Sequence, residues 1–453
     1  MTMIIKRDYY LQQLISSKSN NLIKIVTGIR RSGKSFLLFN LFHNHLIETG
    51  ISEDHIIEIA LDDRLNKKLR DPDVILQHIH ERIVDDKLYY IILDEVQMID
   101  EFTDVLNSLL HIRNADVYVT GSNSKFLSKD VVTEFRGRGD EIHLFPLSFA
   151  ELYNSIGGDK FELWKSYYTY GGLPGILELD SEKKKAAYLR SLHETVYLKD
   201  IIERNNLKNS EEFMELMRVM ASCIGSPCNP SKLENTFKSV KNETLDRKTI
   251  SKYLSYMEDA FLIEKSMRYD IKGRKYIGTL SKYYFQDIGL RNALLNFRQV
   301  EENHIMENVI YNELRLRGFC VDVGMVEART AKERKQLEVD FVANMADRRY
   351  YIQSAFAMPD DDKREQECAS LKKIDDSFKK IIIMRDDIKP YHDNNGFYIV
   401  GLMDFLLKPD LIEQLSHSRK SPFITNGLFL LIIIVLQITA YRMNDSKTHL
   451  LCK

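Results

Sequence analysis

The sequence predicts an α/β fold whose first third is built around a parallel sheet. Its 453 residues suffice for about three domains of roughly 150 residues each. Apolar runs typical of β-strands alternate with helical patterns along the first third of the chain, as in parallel α/β sheets. Hydrophobic (44%) and charged (29%) residues occur in the proportions of an ordinary globular protein, so we expect packed cores throughout.

Composition also limits the classes of function that fit the chain. Lys plus Arg (64) nearly cancels Asp plus Glu (66), so attraction to nucleic acid or to an anionic membrane would need a local basic patch. Five cysteines are too few for a disulfide scaffold and predict a reducing, cytoplasmic location. Cys223 and Cys228 have no matching Cys or His pair, so they do not predict a zinc site. The amino terminus does not resemble a secretory signal.

Five strands are predicted within residues 1–150. They span Leu22 to Thr27, His55 to Leu61, Leu88 to Leu93, Asp116 to Thr120 and Glu141 to Leu144. A helix from Ser35 to Thr49 follows the first strand and ends at Gly50, a residue type favoured just after a helix. Four regions follow: a helical lid or linker at 151–206, three short helices and a hairpin at 207–300, a second α/β stretch at 301–408, and a tail at 409–453.

A glycine-rich loop lies between the first strand and the first helix. Its sequence, Gly28-Ile29-Arg30-Arg31-Ser32-Gly33-Lys34-Ser35, fits the pattern G-x-x-x-x-G-K-[ST] at each fixed position. Glycines let the backbone N–H groups of such a loop surround phosphates at the positive end of a helix. We expect these eight residues to bind ATP, with Lys34 at the β- and γ-phosphates and the Ser35 hydroxyl on Mg²⁺. The loop therefore predicts a P-loop NTPase core, in which the parallel sheet is the middle of three layers.

Two carboxylates follow the third predicted strand. The run Tyr89-Tyr90-Ile91-Ile92-Leu93 has the apolar character of a strand buried on both faces, and its carboxyl end is where open α/β sheets bind ligands. Asp94 and Glu95 stand at that end. Paired with the phosphate loop, they predict that Asp94 holds Mg²⁺ through water and that Glu95 is the general base for the attacking water.

Two later loops offer further polar side chains. The fourth predicted strand ends before Gly121-Ser122-Asn123-Ser124, where Ser122 or Asn123 would orient the water or touch the γ-phosphate; a plain polar turn is the alternative. Arg136 and Arg138 lie on a glycine-containing loop, as an arginine finger would, and Arg138 is the preferred candidate. A solvated basic loop would have the same sequence.

In combination, these motifs resemble those of one family. GIRRSGKS, IILDEVQ, VTGSNS, FRGRGDEIHLFPLSFAEL and YGGLPGIL are similar to the motifs of bacterial and archaeal AAA-type (AAA+) ATPases, in which an ATPase module precedes a winged helix and a restriction-endonuclease-like domain. The resemblance covers residues 1 to about 408. It implies ATP and Mg²⁺ at Lys34 and Ser35, a metal and water site at Asp94 and Glu95, and Arg138 at the finger position.

Residues 247–282 predict a surface for duplex DNA. Asp246 suits the N-cap of a helix with an apolar face and a basic face, and a hairpin follows this helix. Six basic residues and one acidic residue, Asp270, lie between Lys265 and Lys282. A helix followed by a basic hairpin is the outline of a winged helix, with the helix for the major groove and the wing for phosphates. A basic face on a protein-binding adaptor is the alternative.

The second α/β stretch resembles an endonuclease-like core in which an Asp and an acid-x-Lys element hold Mg²⁺ for phosphodiester cleavage. Asp340 fits the Asp, but the second element is Gln353-Ser354-Ala355, with an amide for the carboxylate and an alanine for the lysine. The metal thus loses a charged ligand and the water loses its activator. We expect a nuclease-shaped but inert domain; residual cleavage would use Glu307, Glu338 and Asp340.

The tail contains an apolar segment at 427–440. It is shorter than the roughly 20 apolar residues of a membrane-spanning helix, and extending it to Phe423 and Tyr441 only approaches that length. A C-terminal membrane anchor is one interpretation. Packing against the body of the protein, or an extension outside the working protein, is the other.

The sequence as a whole predicts an enzyme that hydrolyses ATP to ADP and phosphate with Mg²⁺ and couples the reaction to movement of the winged helix. Arg138, acting from a neighbouring subunit, would imply a homo-oligomer. An ATP-sensing regulator with negligible turnover is one alternative, and an ATP-gated nuclease is another. Glu95 separates the first two because only turnover needs a general base.

Overall fold

The computed structural model describes residues 4–121, 137–208, 210–241, 245–329 and 334–412. All five strands predicted for the amino-terminal part are confirmed: β1 (Ile23–Thr27), β2 (Ile56–Ala60), β3 (Tyr89–Asp94), β4 (Ala115–Thr120) and β5 (Gly139–His143). Their order in the sheet is β2-β3-β4-β1-β5, and each neighbouring pair is parallel. The carboxyl ends of β1, β3 and β4 therefore meet at one edge, which is where ligands of open α/β sheets bind.

Helices cover both faces of this sheet. On one face lie α1 (Asp8–Ser16) and α2, a continuous helix made of Lys34–Phe36, Leu37–Phe42 and His43–Glu48. On the other face lie α3 (Pro72–Arg82) and α4 (Phe102–Leu109). Within β1, Val26 packs with the first pair of helices, whereas Ile25 packs with the second pair. This alternation gives each face its own apolar core and produces the predicted three-layer fold.

A helical region follows the core. It consists of α5 (Phe149–Ile156), α6 (Lys160–Tyr170), α7 (Glu182–Leu192, His193–Leu198 and Lys199–Asn205), α8 (Ser210–Ser222), α9 (Pro230–Thr236 and Phe237–Lys241) and α10 (Arg247–Asp259). Asp246 is the N-cap of α10, as predicted, and accepts hydrogen bonds from the backbone N–H groups of Lys248 and Thr249. Ser148 and Glu151 form a capping box at α5, which fixes the start of this region.

The carboxyl-terminal part contains a mixed sheet. Its elements are β6 (Ile263–Asp270), β7 (Lys275–Phe285), α11 (Ile288–Leu294), α12 (Glu302–Leu316), β8 (Cys320–Arg329), β9 (Arg334–Met345), β10 (Arg348–Ala355), α13 (Asp361–Lys372), β11 (Lys379–Met384), β12 (Tyr391–His392), β13 (Tyr398–Gly401) and α14 (Leu402–Leu407). The eight strands follow the order β12-β13-β11-β10-β9-β8-β6-β7.

The hairpin predicted after α10 is present as β6 and β7. It is also part of the mixed sheet, because β6 pairs with β8 at Arg268–Asp270. The register of the hairpin shifts between Met267 and Arg268. The end of the hairpin near the turn therefore pairs directly with β8, and on the other side of the shift the Ser266 hydroxyl donates to the carbonyl oxygen of Val321 in β8.

The described residues up to Leu406 belong to one compact unit, and residues 407–412 belong to a second unit. Within the described ranges, no helix combines the length and the apolar character needed to cross a membrane. The predicted apolar segment at 427–440 lies outside these ranges.

Candidate nucleotide-binding site

The glycine-rich loop connects β1 to α2 in a conformation that depends on its glycines. Gly28 has a φ of 137°, and a Cβ atom at this position would lie 2.2 Å from the carbonyl oxygen of Leu144. Gly33, at the start of α2, has a φ of 98°. Only glycine adopts such backbone angles easily. The loop is thus curved tightly at the carboxyl end of β1, as a phosphate-binding loop requires.

Lys34 points into this loop. Its side chain is only 5% exposed, and Nζ donates hydrogen bonds to the carbonyl oxygens of Gly28 (2.9 Å) and Ile29 (3.2 Å). Burial lowers the pKa of Lys34, while the nearby charges of Glu95 and Asp94 oppose that shift. The structure therefore holds the Nζ group of Lys34 inside the loop, where the phosphates of a nucleotide would bind.

Asp94 joins the phosphate loop to the neighbouring strands. Its Oδ2 accepts a hydrogen bond of 2.7 Å from the Ser35 hydroxyl, and its Oδ1 accepts one from the Thr120 hydroxyl at the end of β4. Burial raises the pKa of Asp94, and both hydroxyls oppose that shift. Hydroxyl and carboxylate oxygens are ligands that Mg²⁺ prefers, so Ser35 and Asp94 fit the predicted metal.

Glu95 follows Asp94 in a left-handed backbone conformation, with a φ of 54°. Its backbone N–H donates to the Thr120 hydroxyl at 2.9 Å, and its carboxylate accepts a hydrogen bond from the Gln97 side chain. Gln97 and Thr120 lie within the motifs IILDEVQ and VTGSNS, but neither has a role assigned from the sequence. The available signal was a hydroxyl at the last position of an otherwise apolar strand.

An apolar cavity of about 660 Å³ lies beside the loop. Its lining combines residues of the amino terminus, the loop, the start of α2 and the turn after α6: Ile5, Arg7, Ser32, Gly33, Phe36, Leu147, Pro174, Gly175, Leu177 and Glu178. The buried Ser32 hydroxyl has no hydrogen-bond partner among the described residues. The volume of the cavity and its apolar lining are typical of small-molecule sites, so the cavity suits a nucleotide base or ribose.

The helical region contacts the phosphate loop directly. The Tyr197 hydroxyl of α7 donates to the carbonyl oxygen of Arg30, and the Arg30 guanidinium lies 3.2 Å from Asp200. Within the turn after α6, the backbone N–H of Gly172 donates to Asp287 at 2.8 Å. Burial raises the pKa of Asp287 to about 6. These contacts connect the phosphate loop to α7, and they connect the turn after α6 to the start of α11.

A second polar contact joins the other side of β1 to the segment before α11. The Thr27 hydroxyl donates to Glu141 at 2.9 Å and lies 3.0 Å from Nδ1 of His143. On its other side, His143 Nε2 lies 3.0 Å from the amide nitrogen of Gln286. Burial lowers the pKa of His143 to about 4, so this imidazole is neutral at pH 7.

Arg138 lies far from the loop of its own chain. It directly precedes β5, at the level where Gly139 pairs with Ile23, and its guanidinium donates to Asn107 at 3.3 Å. That is the amino end of the sheet, whereas the phosphate loop is at the carboxyl end, roughly 16 Å away along a five-residue strand. Ser122, Asn123 and Arg136 lie outside the described residues.

The structure narrows the predicted DNA surface. Arg247, Lys248 and Lys252 of α10 are exposed, and Arg247 pairs with Glu234 at 2.6 Å. In the hairpin, Lys265, Lys272, Arg274 and Lys275 are exposed, but Arg268 and Lys282 are buried. Arg268 and Lys282 therefore do not contribute to a solvent-facing basic surface, because both side chains turn toward acceptor groups in the interior.

Three carboxylates predicted for the second α/β stretch do come together. Glu307 on α12 and Glu338 and Asp340 on β9 surround the ammonium group of Lys282 on β7. Gln353 and Ala355 lie on β10, which pairs with β9. Lys282 was assigned to the DNA surface, and no motif predicts its position inside this cluster.

Comparison with known proteins agrees with the fold. Residues 20–153 match the family model described as "AAA domain", and residues 161–301 match a "Domain of unknown function (DUF8612)". An uncharacterised protein of Haemophilus influenzae is 33% identical over 414 residues, which cover 89% of this chain and 99% of that protein. An uncharacterised protein of Methanocaldococcus jannaschii is 29% identical over 407 residues, covering 85% and 86%.

Two solved structures are also similar. The Aeropyrum pernix ORC2 protein (ADPNP-ADP complexes) has a TM-score of 0.37 at 12% identity and covers 67% of this chain and 92% of that chain. The Aeropyrum pernix ORC1 protein in complex with DNA has a TM-score of 0.29 at 12% identity, covering 65% and 93%. The family assignment rests on the sequence matches: the chain belongs to one family with the Haemophilus influenzae protein, and its residues 20–153 match the AAA domain model.

Proposed function

We propose that the protein binds ATP with Mg²⁺ and hydrolyses it to ADP and phosphate. The observation that carries this proposal is the hydrogen bond of 2.7 Å between Ser35 and Asp94, because it brings the two predicted metal ligands to one place beside the loop ammonium. The apolar cavity next to the loop supports a nucleotide rather than free phosphate as the ligand.

Each residue of the site has a distinct part in the proposed reaction. The loop from Gly28 to Ser35 surrounds the phosphates with N–H groups, and Lys34 neutralises the β- and γ-phosphates. Ser35 and Asp94 would hold Mg²⁺, which supplies further neutralisation of the phosphate charge when bound. Glu95, oriented by Gln97 and Thr120, accepts a proton from the attacking water. Ser122 remains the candidate contact to the γ-phosphate.

Nucleotide retention on filters and ATP turnover test the proposal together. Lys34→Ala removes the ammonium, so we expect it to lower ATP retention at least about tenfold and to abolish turnover. Lys87→Ala is the matched control, since Lys87 is an exposed lysine of the same domain. Equal retention by wild type and Lys34→Ala would contradict the proposal.

We further propose that the exposed faces of α10 and the hairpin form a winged helix that binds duplex DNA. Three helices, α8 to α10, precede the hairpin, and Cys228 forms an isolated antiparallel bridge with Ser281 of β7. This element order is typical of winged helices, and the exposed basic side chains lie where the helix and the wing would meet phosphates. Measuring ATP turnover with and without duplex DNA tests whether the two activities are coupled; stimulation is the expected result.

A further inference from the structure

Lys282 is an almost completely enclosed cation of the carboxyl-terminal sheet region described above. Its side chain is 3% exposed, and its Nζ lies 2.8 Å from Glu307, 2.8 Å from Glu338 and 3.7 Å from Asp340. These are the three carboxylates that the endonuclease-like interpretation assigns to residual metal-dependent cleavage. One ammonium group therefore contacts every acidic side chain of that cluster.

Further contacts hold the carboxylates around the ammonium. The Tyr284 hydroxyl donates to the same Glu307 oxygen at 2.7 Å, and the backbone N–H of Ser354 donates to Asp340 at 2.8 Å. Gly225 is the tight neighbour of Glu307, because a Cβ atom there would lie 3.0 Å from the carboxylate. The acceptor atoms are thus directed and enclosed by protein groups.

A divalent metal does not fit this arrangement. Within the described ranges, no group of three or more His, Cys, Asp or Glu side chains is disposed to hold a metal ion. A metal among these carboxylates would have to approach Nζ of Lys282 and meet its positive charge at short range. Lys282 Nζ lies at ion-pair distance from Glu307 and Glu338, so it occupies the space between these carboxylates that a metal would need.

We propose that the ammonium group of Lys282 is a built-in cation that takes the place of a divalent metal among Glu307, Glu338 and Asp340. The carboxyl-terminal α/β region is accordingly closed to metal and does not cleave phosphodiesters. Because Lys282 is on β7 while its partners are on α12 and β9, the same contacts tie the hairpin to the sheet. Buried charges persist only when they are paired, which explains why all three acids surround the lysine.

Mn²⁺ binding to the nucleotide-free full chain tests this proposal, with bound ions counted by electron paramagnetic resonance. Lys282→Met removes the charge at similar volume. We expect this variant to bind one more Mn²⁺ ion than the wild type, with an affinity at the cluster at least about tenfold higher than the wild type shows there. Adding Asp340→Asn to that variant should remove the new site. Lys335→Met is the matched control, because Lys335 is an exposed lysine on β9, the strand that carries Glu338 and Asp340.

The proposal can fail in two ways. A folded Lys282→Met protein that gains no Mn²⁺ site overturns it, and Lys282→Gln repeats this arm if the methionine variant does not fold. Wild-type protein overturns it as well if it binds Mn²⁺ at a site that Asp340→Asn removes, or if it cleaves DNA with Mn²⁺ and loses that cleavage on Asp340→Ala. Both of these measurements remain possible even if the Lys282 variants do not fold, because they use proteins that keep Lys282.

Discussion

At the end of β4, the hydroxyl of Thr120 contacts both acidic residues, donating to Asp94 and accepting from the backbone N–H of Glu95. The loop and the two carboxylates are predictable from the sequence because their residue types and spacing follow from phosphate and metal chemistry. Thr120 is not, since a hydroxyl at a strand end has many structural uses and its partners come from a different strand. Residue types and their spacing indicate which chemistry a site can perform, whereas the contacts between residues of different strands are known only from the structure.

Glu95→Gln should separate ATP binding from hydrolysis. The amide keeps the shape of the side chain but cannot accept the proton of the attacking water, so we expect turnover to fall at least about 100-fold with ATP retention unchanged. Steady-state phosphate release and filter retention measure the two quantities. Glu48→Gln, an exposed site on α2, should leave both at wild-type values.

Unchanged turnover in Glu95→Gln would contradict the hydrolytic role of Glu95. Negligible turnover in the wild type together with firm ATP retention would favour the regulator that senses ATP.

The neutral state of His143 predicts a loss of stability in acid. Burial lowers its pKa from 6.5 to about 4, so the unfolded chain binds a proton more readily than the folded one. Stability is therefore complete above pH 6.5 and declines as the pH falls toward 4. Between pH 7 and pH 5 the loss from this residue is about 2 kcal/mol of the free energy of unfolding.

Urea unfolding of wild type and His143→Gln at both pH values measures that loss. The variant should lose less stability by about this amount, because glutamine does not titrate. His193, whose pKa burial also lowers to about 4, titrates in both proteins and cancels in the comparison. An equal decline in both proteins would contradict the assignment to His143.

Among the elements, β1 to β5 and α10 were predictable because their apolar periodicity reflects local burial. The hairpin was also predicted, but its pairing with β8 was not. That pairing joins Arg268–Asp270 to residues more than fifty positions away, and no local pattern carries such information. The same reason explains why Arg268 and Lys282 looked like surface cations in the sequence.

The exposed face of α10 should carry most of the affinity for DNA. Lys248→Glu together with Lys252→Glu places two negative charges where phosphates would lie, so we expect binding to duplex DNA to weaken at least about tenfold. The slope of log affinity against log salt concentration should fall by about two. Fluorescence anisotropy at several salt concentrations measures both quantities.

Two exposed lysines elsewhere, Lys87 and Lys183, supply the control when both are changed to Glu. Equal weakening by the control pair would point to net charge rather than to a site on α10. Retention of full affinity by the α10 variant would instead favour the protein-binding adaptor.

At the scale of the whole molecule, the position of Arg138 bears on the proposed arginine finger: if Arg138 has this role, a second copy of the chain has to complete the site. Arg138 lies at the amino end of the sheet and cannot reach phosphates bound at the carboxyl end in the same chain. An arginine finger here must act on a neighbouring subunit. The sequence predicts the residue and its possible action from a neighbouring subunit, and the strand direction and the pairing of β5 with β1 supply the physical reason.

Mixing two inactive variants tests this arrangement. Arg138→Ala should lower turnover at least about 1,000-fold, as loss of an arginine finger does, while keeping ATP retention. A mixture of the Arg138→Ala and Lys34→Ala proteins should recover part of the wild-type turnover. In mixed oligomers, one subunit supplies an intact phosphate loop and its neighbour supplies an intact Arg138. Steady-state phosphate release across mixing ratios measures this recovery.

Each variant mixed with wild type controls for dilution of subunits. No recovery at any ratio, with oligomers present by light scattering, would show that Arg138 does not act on a neighbour.

The pairing of β6 with β8 also decides where the chain can be cut. A protein shortened to end near residue 300 would keep the hairpin but lose the strand beside it, so the backbone N–H and C=O groups of Arg268–Asp270 would be uncovered. Uncovered strand edges recruit other chains and promote aggregation. Lys282 would lose its partners in the same cut. A functional fragment therefore has to extend through the last strands of the mixed sheet.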